Sequence, residues 1–239
     1  MESVIYVDSD EMELQKKKLY DSDPNHSHSY FRYTTDSLAR FQKTQLAVME
    51  TQNGRDTDDY VIGKNNRHLT RVQKYLPNGK KLLSIGCGTG RDVAMFRDNG
   101  YSCEGITLGP RNVKFAQQVF GIQIQTCDIH ATPFPDREFD GVIASHTMEH
   151  SYAPLILLLE MNRILKPGGR IIIETPPYKD FTYGDNPHHV LCPTVEQMDG
   201  LLLKSNFKVI FSEEHGTLLW VGERKQDNEV AQHWKSLLT

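Results

Sequence analysis

The sequence predicts an α/β fold in which a mostly parallel, doubly wound sheet carries helices on both faces. Three observations lead there. From Lys81 onward, short apolar runs of strand length alternate with helical stretches, the pattern of parallel βαβ units. The first of these runs, Leu82-Leu83-Ser84-Ile85, passes straight into three glycines at alternate positions, Gly86, Gly88 and Gly90. The chain before Lys81 carries helical stretches and no strand signal.

Taken in order, Ser37–Thr51 reads as a helix, with Leu38, Phe41, Leu46 and Met49 on an approximate helical stripe. A loop spans Asp21 to Ser27, the aromatic cluster Tyr30, Phe31 and Tyr33 follows it, and Asn53-Gly54-Arg55-Asp56 marks a turn. A second helix is expected from near Asn65 to Tyr75, where Pro77-Asn78-Gly79 stops it. Strands are expected at Leu82–Ile85, Cys103–Leu108, Ile122–Thr126, Gly141–Ser145 and Arg170–Thr175. Between them, helices are expected at Arg91–Asn99, Arg111–Phe120 and Ala153–Leu165, the last ending at Lys166-Pro167-Gly168-Gly169. A helix over Thr194–Ser205 and an antiparallel hairpin, Lys208–Ser212 with Thr217–Gly222, close a sheet of seven strands.

Composition removes several function classes. The chain has 239 residues, 27 Lys+Arg against 31 Asp+Glu, and a formal charge of −4. That length buries a core without disulfides or structural metal, and the mildly acidic balance argues against a partner held by its phosphate backbone. The longest apolar run, Ala153 to Leu159, is far below the roughly 20 residues of a membrane span, so no membrane insertion is expected. Neither a basic-then-apolar leader nor a CxxC pair is present. The four cysteines therefore read as reduced thiols, with a cytoplasmic location expected. A homodimer is left open.

The motifs sharpen the expectation. Glycines after a strand let a backbone approach a ligand closely, and a following helix offers free N–H groups. In the hydride-transfer dinucleotide fingerprint a third glycine would fall at Arg91, so the fit to a nicotinamide site is poor. Ile85-Gly86-Cys87-Gly88-Thr89-Gly90, then Cys127-Asp128-Ile129, Pro133-Phe134-Pro135-Asp136 with Phe139-Asp140, and Glu160 through Gly169 occur in that order. On these four motifs, from about Lys81 to Thr175, the chain resembles the class I S-adenosylmethionine-dependent methyltransferases.

The resemblance implies a Rossmann-like methyltransferase fold over residues 79–239, with residues 1–78 as an N-terminal helical cap on the substrate side. It implies S-adenosylmethionine as cofactor, leaving as S-adenosylhomocysteine. Gly86, Cys87, Gly88 and Gly90 would wrap the methionine part, Asp128 would meet the adenine with Ile129 beside the ring, and Ser145 would line the site. Most relatives place an acid at the end of the second strand, where this chain has Thr107 in Gly105-Ile106-Thr107-Leu108. A subset has the same threonine with an amide five residues on, which is Asn112 here. Thr107 and Asn112 are accordingly expected at the ribose or adenine, although a hydroxyl cannot grip the diol through two oxygens.

The acceptor should bind beyond the carboxyl ends of the fourth and fifth strands. Four histidines fall there: His146 and His150 after the fourth strand, His188 and His189 in the loop after Pro176-Pro177-Tyr178 that also carries Tyr183 and Asp185. An alcohol nucleophile gains from a base, and imidazole suits that work. His146 is the first candidate, followed by His150 and His189. No metal is assigned, because no ligand-spaced motif lies on one element, though a divalent ion held by His146, His189 and an acid is an open alternative. The expected function is methyl transfer to an oxygen of a small molecule such as a sugar, quinone precursor or natural-product scaffold. Rival readings are N- or C-methylation, other sulfonium chemistry, or a non-catalytic cofactor-binding subunit.

Overall fold

Seven strands form one sheet in the order β3-β2-β1-β4-β5-β7-β6. The structure is a computed structural model that describes residues 58–77, 79–177, 189–191, 193–215 and 217–226. The chain divides into two units, residues 1–53 and 54–239, and every described residue lies in the second. The expected helix Ser37–Thr51, the aromatics Tyr30, Phe31 and Tyr33, and Tyr178, Tyr183, Asp185 and His188 lie outside the described residues.

Helix α1 (Asp58–Tyr75) leads into β1 (Lys81–Ile85), α2 (Arg91–Asp98) and β2 (Ser102–Thr107). Helix α3 (Pro110–Phe115) widens into a π turn at Ala116–Phe120 before β3 (Gln125–Thr126). Then follow β4 (Phe139–Ser145), a single 3-10 turn at Met148–His150, α4 (Pro154–Ile164), β5 (Leu165–Thr175), α5 (Val195–Lys204), β6 (Phe207–Glu214) and β7 (Leu218–Arg224). Strands β1 to β5 run parallel, and β7 lies antiparallel to both β5 and β6. Strand order reverses between β1 and β4, so the crevice beyond their carboxyl ends is the topological switch point where open α/β sheets bind ligands.

Strand alternation sorts the core into two layers. On one face Ile143, Ile172, Leu219 and Val221 meet Val72 of α1, Leu76 just after its end and Phe96 from α2. On the other, Val142, Ala144, Ile171, Ile173 and Trp220 meet Leu157, Leu158 and Met161 of α4 and Met198 and Leu202 of α5. Thr194 caps α5 with a reciprocal box, its side chain accepting from the Gln197 N–H and its own N–H donating to the Gln197 side chain.

Several boundaries differ from the sequence expectation, and three of the differences have a plain physical reason. Helix α1 begins at Asp58 rather than near Asn65, its early turns obscured by Gly63, a weak helix former. Strand β3 is two residues, because Ile122 and Ile124 are buried against Val93, Ala94 and Ala116 rather than paired in the ladder. Strand β5 takes in Lys166 to Gly169, since Leu165 already pairs with Phe139 and pairing resumes at Gly141 with Arg170 after an irregularity.

A buried charge cluster seats α1 on the sheet. His68 (4% exposed) places Nδ1 3.1 Å from Asp92 Oδ2 of α2 and Nε2 3.1 Å from Glu174 Oε2 of β5. Glu174 (3% exposed) also lies 2.5 Å from Arg71 Nη1, and Ser145 Oγ lies 3.2 Å from His68 Nε2. Burial alone would lower the His68 pKa, but hydrogen bonds to Asp92 and Glu174 and their charges raise it above its ordinary 6.5. Burial would raise Glu174, but hydrogen bonds and charge from His68 and Arg71 hold it well below its ordinary 4.5.

Both contributions are present together between the two ordinary values. Below about pH 4.5 the Glu174 contribution declines as its carboxylate protonates, and above about pH 6.5 the His68 contribution declines as the imidazole loses its proton. Removing one partner of a buried pair costs about 3–5 kcal/mol, so Glu174→Ala should lower stability by that order. In urea titrations at several pH values, the gap between wild type and His68→Ala should be largest near pH 6 and shrink by pH 9. A gap that instead grows as pH rises would show that the imidazole is neutral in the cluster.

Candidate active site

Strand β1 delivers the chain into a turn fixed by backbone hydrogen bonds: the Cys87 N–H donates to the Ile106 carbonyl at 3.0 Å, and the Gly90 N–H to the Cys87 carbonyl at 2.9 Å. Gly86 and Gly88 both have positive φ, 65° and 53°. At Gly86 the requirement is also steric, because a Cβ there would stand 2.3 Å from Thr147 Oγ1. Thr147 is itself held within 3.1 Å of the Ile85 carbonyl and 3.2 Å of the Ser145 carbonyl. At Gly88 the opposite holds: a Cβ would meet nothing within 4 Å, so bare backbone borders open space. That cradle fits a ligand lying across the loop. Burial pushes the Cys87 thiol up to about 12, so it stays protonated and contributes no nucleophile.

Thr107 and Asn112, expected together, do meet. Asn112 Nδ2 and the Gly109 N–H both donate to Thr107 Oγ1 at 3.4 Å, which ties the end of β2 to the first turn of α3. Both residues are buried. Asp128 sits in a denser network: its Oδ1 accepts from the His130 N–H at 2.9 Å and lies 2.8 Å from His130 Nδ1, and its Oδ2 accepts from the Tyr152 hydroxyl at 3.1 Å. Burial would raise Asp128, but the hydrogen bonds and charge of His130 and the Tyr152 bond hold it below the usual carboxylate range. His130 Nε2 reaches Ser151 Oγ at 2.8 Å, and the His130 and Tyr152 rings stack at 3.9 Å. The order Asp128–His130–Ser151 has the connectivity of a nucleophilic triad, but Ser151 is buried, so the arrangement clamps the loop against the turn after β4. Ile129 packs into the main core.

Beyond β4 the chain changes direction at His146, whose φ is 50°. Its N–H donates to the Glu174 carbonyl at 2.8 Å, and its Nδ1 lies 3.3 Å from Oε1 of the buried Glu149. His150 closes the 3-10 turn, and its ring meets that of His189 at 4.8 Å in a near-perpendicular arrangement. His146, Glu149, His150 and His189 therefore form one cluster at the carboxyl edge of the sheet.

Several residues here carried no motif. His68 and Arg71, three apart on one helix face, and Glu174, an acid ending the apolar run Ile171-Ile172-Ile173, were legible as charges on buried faces. His130 and Tyr152 gave no signal in sequence, since their pairing depends on how two loops meet. The later motifs prove to be latches. Arg163 reaches Asp136 at 2.7 Å and both Glu160 oxygens, while Glu160 accepts from the Thr132 N–H at 2.8 Å, fastening the loop before β4 to α4. Asp140 accepts from the Lys81 N–H at 2.9 Å and from Lys166 Nζ at 3.0 Å.

A family model described as a methyltransferase domain matches residues 83–173, from β1 through β5. The chain carries a class I S-adenosylmethionine-dependent methyltransferase domain. Its curated relatives include the O-methyltransferase cnsE of Penicillium expansum, 28% identical over 63% of this chain and 60% of that protein. The O-methyltransferase resE of Aspergillus sclerotiorum is 30% identical over 60% of this chain and 58% of that protein. The chain thus matches about 60% of the length of these relatives. Among solved structures, the 1,6-didemethyltoxoflavin-N1-methyltransferase of Burkholderia thailandensis, solved with S-adenosylhomocysteine, has a TM-score of 0.65 at 17% identity. That superposition covers 83% of this chain and 93% of the other and shows the shared methyltransferase fold. No helix among the described residues is long and apolar enough to cross a membrane.

The methyltransferase domain's glycine loop yields a direct test. Gly86→Ala should cost about 1–3 kcal/mol through overpacking and positive φ, and part of that loss should return in Gly86→Ala/Thr147→Ala. Chemical denaturation of the double-mutant cycle reads the coupling; simple additivity would remove Thr147 as the cause.

Proposed function

We propose that this protein transfers the methyl group of S-adenosylmethionine to an oxygen of a small molecule, of the sugar, quinone-precursor or natural-product class. The observation that carries the reading is the half-buried His146, held at the carboxyl end of β4 beside Glu149, one strand from the glycine loop at the end of β1. The O-methyltransferase relatives from Penicillium expansum and Aspergillus sclerotiorum support an oxygen acceptor. The net charge of −4 supports a small molecule over a nucleic acid. Free thiols at Cys87, Cys103 and Cys127 support a cytoplasmic location.

The cofactor, when bound, supplies an electrophilic methyl on a sulfonium. Gly86, Cys87, Gly88 and Gly90 present backbone to its methionine part, with the open face at Gly88 receiving it. Thr107 and Asn112, already bonded to each other, border the ribose, and Asp128 and Ile129 border the adenine. Ser145 closes the floor beside His68. His146 would accept the acceptor hydroxyl's proton as the oxygen attacks the methyl carbon, and the Glu149 carboxylate would balance the imidazolium that results. The S–C electron pair stays on sulfur, which leaves as the neutral thioether S-adenosylhomocysteine. His150 and His189 flank the acceptor and help fix its angle of attack.

The replacement His146→Asn keeps a residue tolerant of positive φ. It should lower kcat about 10²- to 10⁴-fold while S-adenosylhomocysteine affinity, read by titration calorimetry, changes little. An unchanged kcat would favour an amine acceptor, which needs little help from a base.

A further inference from the structure

We propose that Glu149, His150 and His189 form a binding site for a divalent transition-metal ion of the zinc class. Each offers one ligand atom, and these atoms lie within 4.8 Å of one another. A tetrahedral ion with bonds near ~2.1 Å holds its ligands about 3.4 Å apart, so the cluster needs a contraction on the order of 1 Å, within reach of rotamer adjustment.

A second, independent observation points to a cation. Glu149 is 1% exposed, and neither carboxylate oxygen has a hydrogen-bond partner. Only the His146 imidazole stands at ion-pair distance from it among the described residues. A buried carboxylate left in that condition is costly, and a bound cation removes the deficit. Backbone geometry supplies the third ligand: the Val190 and Leu191 N–H groups both donate to the Glu149 carbonyl, at 2.8 and 3.2 Å. The residue that contributes the anionic ligand thus also anchors the segment that carries His189. The near-perpendicular His150 and His189 rings approach from different directions, as ligands on one ion do.

Donor chemistry selects the ion. Two imidazoles and one carboxylate suit zinc and its transition-metal neighbours, whereas magnesium and calcium favour oxygen ligands. Three protein ligands leave a further coordination position for water or for an acceptor hydroxyl; the second use rests on the oxygen acceptor proposed above, and the site itself does not.

The test uses the full-length chain, stripped with chelator and equilibrated with Zn²⁺ in the absence of S-adenosylmethionine. Dialysis with elemental analysis should give one tight site per chain. His150→Ala and His189→Ala should each weaken it at least about 10-fold, since even loss of an outer-shell partner costs that much. Because Glu149→Gln alters a buried position, the two histidine variants, checked by circular dichroism, carry the decision. His215→Ala, an exposed histidine of the β6–β7 turn, should leave the site intact. With Co²⁺ as probe, visible absorption typical of low coordination number should appear in wild type and vanish in His189→Ala. No Zn²⁺ bound below about 100 µM, or equal binding in the His150 and His189 variants, overturns the proposal and leaves the methyl-transfer reading standing.

Discussion

Glu174 is a negative charge taken out of water at the end of a central strand, and such a charge persists only where cations meet it. Two do, and both come from α1. His68 and Arg71 cannot reach Glu174 unless α1 crosses the carboxyl edge of the sheet at one position, and the second imidazole nitrogen then fixes Asp92 in the first turn of α2. One ion cluster thereby joins β5, α1 and the helix that follows the glycine loop. The apolar contacts of Val72 and Leu76 give α1 its affinity for the sheet, but they are non-directional. The charges decide its register.

The chain leaving β4 uses the frame so fixed. Ser145 faces His68, Thr147 wedges against Gly86, and Glu149 and His150 face His189. Strand alternation would send residues 145, 147 and 149 to one side; positive φ at His146 and the 3-10 turn redirect them to three different elements. Thr147 matters most for coupling, because it touches the glycine loop and hangs from the carbonyls of Ile85 and Ser145. A displacement of the glycine loop must pass through Thr147 to the segment that holds His146 and Glu149.

The sheet was legible in the sequence because each strand is a short apolar run bounded by turn chemistry, and a parallel sheet buried on both faces demands such runs. Strand β3 was the exception: isoleucines bury themselves equally well by packing beside a helix as by joining a ladder, and hydrophobicity does not separate the two. The glycine loop was legible for a steric reason that the Thr147 contact makes concrete. His146, His150 and His189 were identified as a group, but the acid that joins them was not, because Glu149 lies between two more conspicuous histidines and its burial depends on the fold of the turn. The His130–Tyr152 stack was beyond reach, since the two rings meet only when two loops converge.

Two buried glutamates invite comparison. Glu174 offers one oxygen to two cationic side chains, and its pKa falls in consequence. Glu149, at least as deeply buried, has among the described residues a single imidazole at ion-pair distance and a hydrogen bond on neither oxygen. The fold brings two cationic side chains to one oxygen of the first acid, leaving only its Oε1 without a hydrogen bond, yet it leaves both oxygens of the second without one. Replacing Glu149 by an apolar residue of similar volume would be the cheaper solution if packing were its task. Its under-pairing makes sense where another partner arrives, a proton carried on His146 during transfer or a cation held with His150 and His189. These uses are compatible because a carboxylate has two oxygens and an ion at one still leaves the other facing an imidazolium.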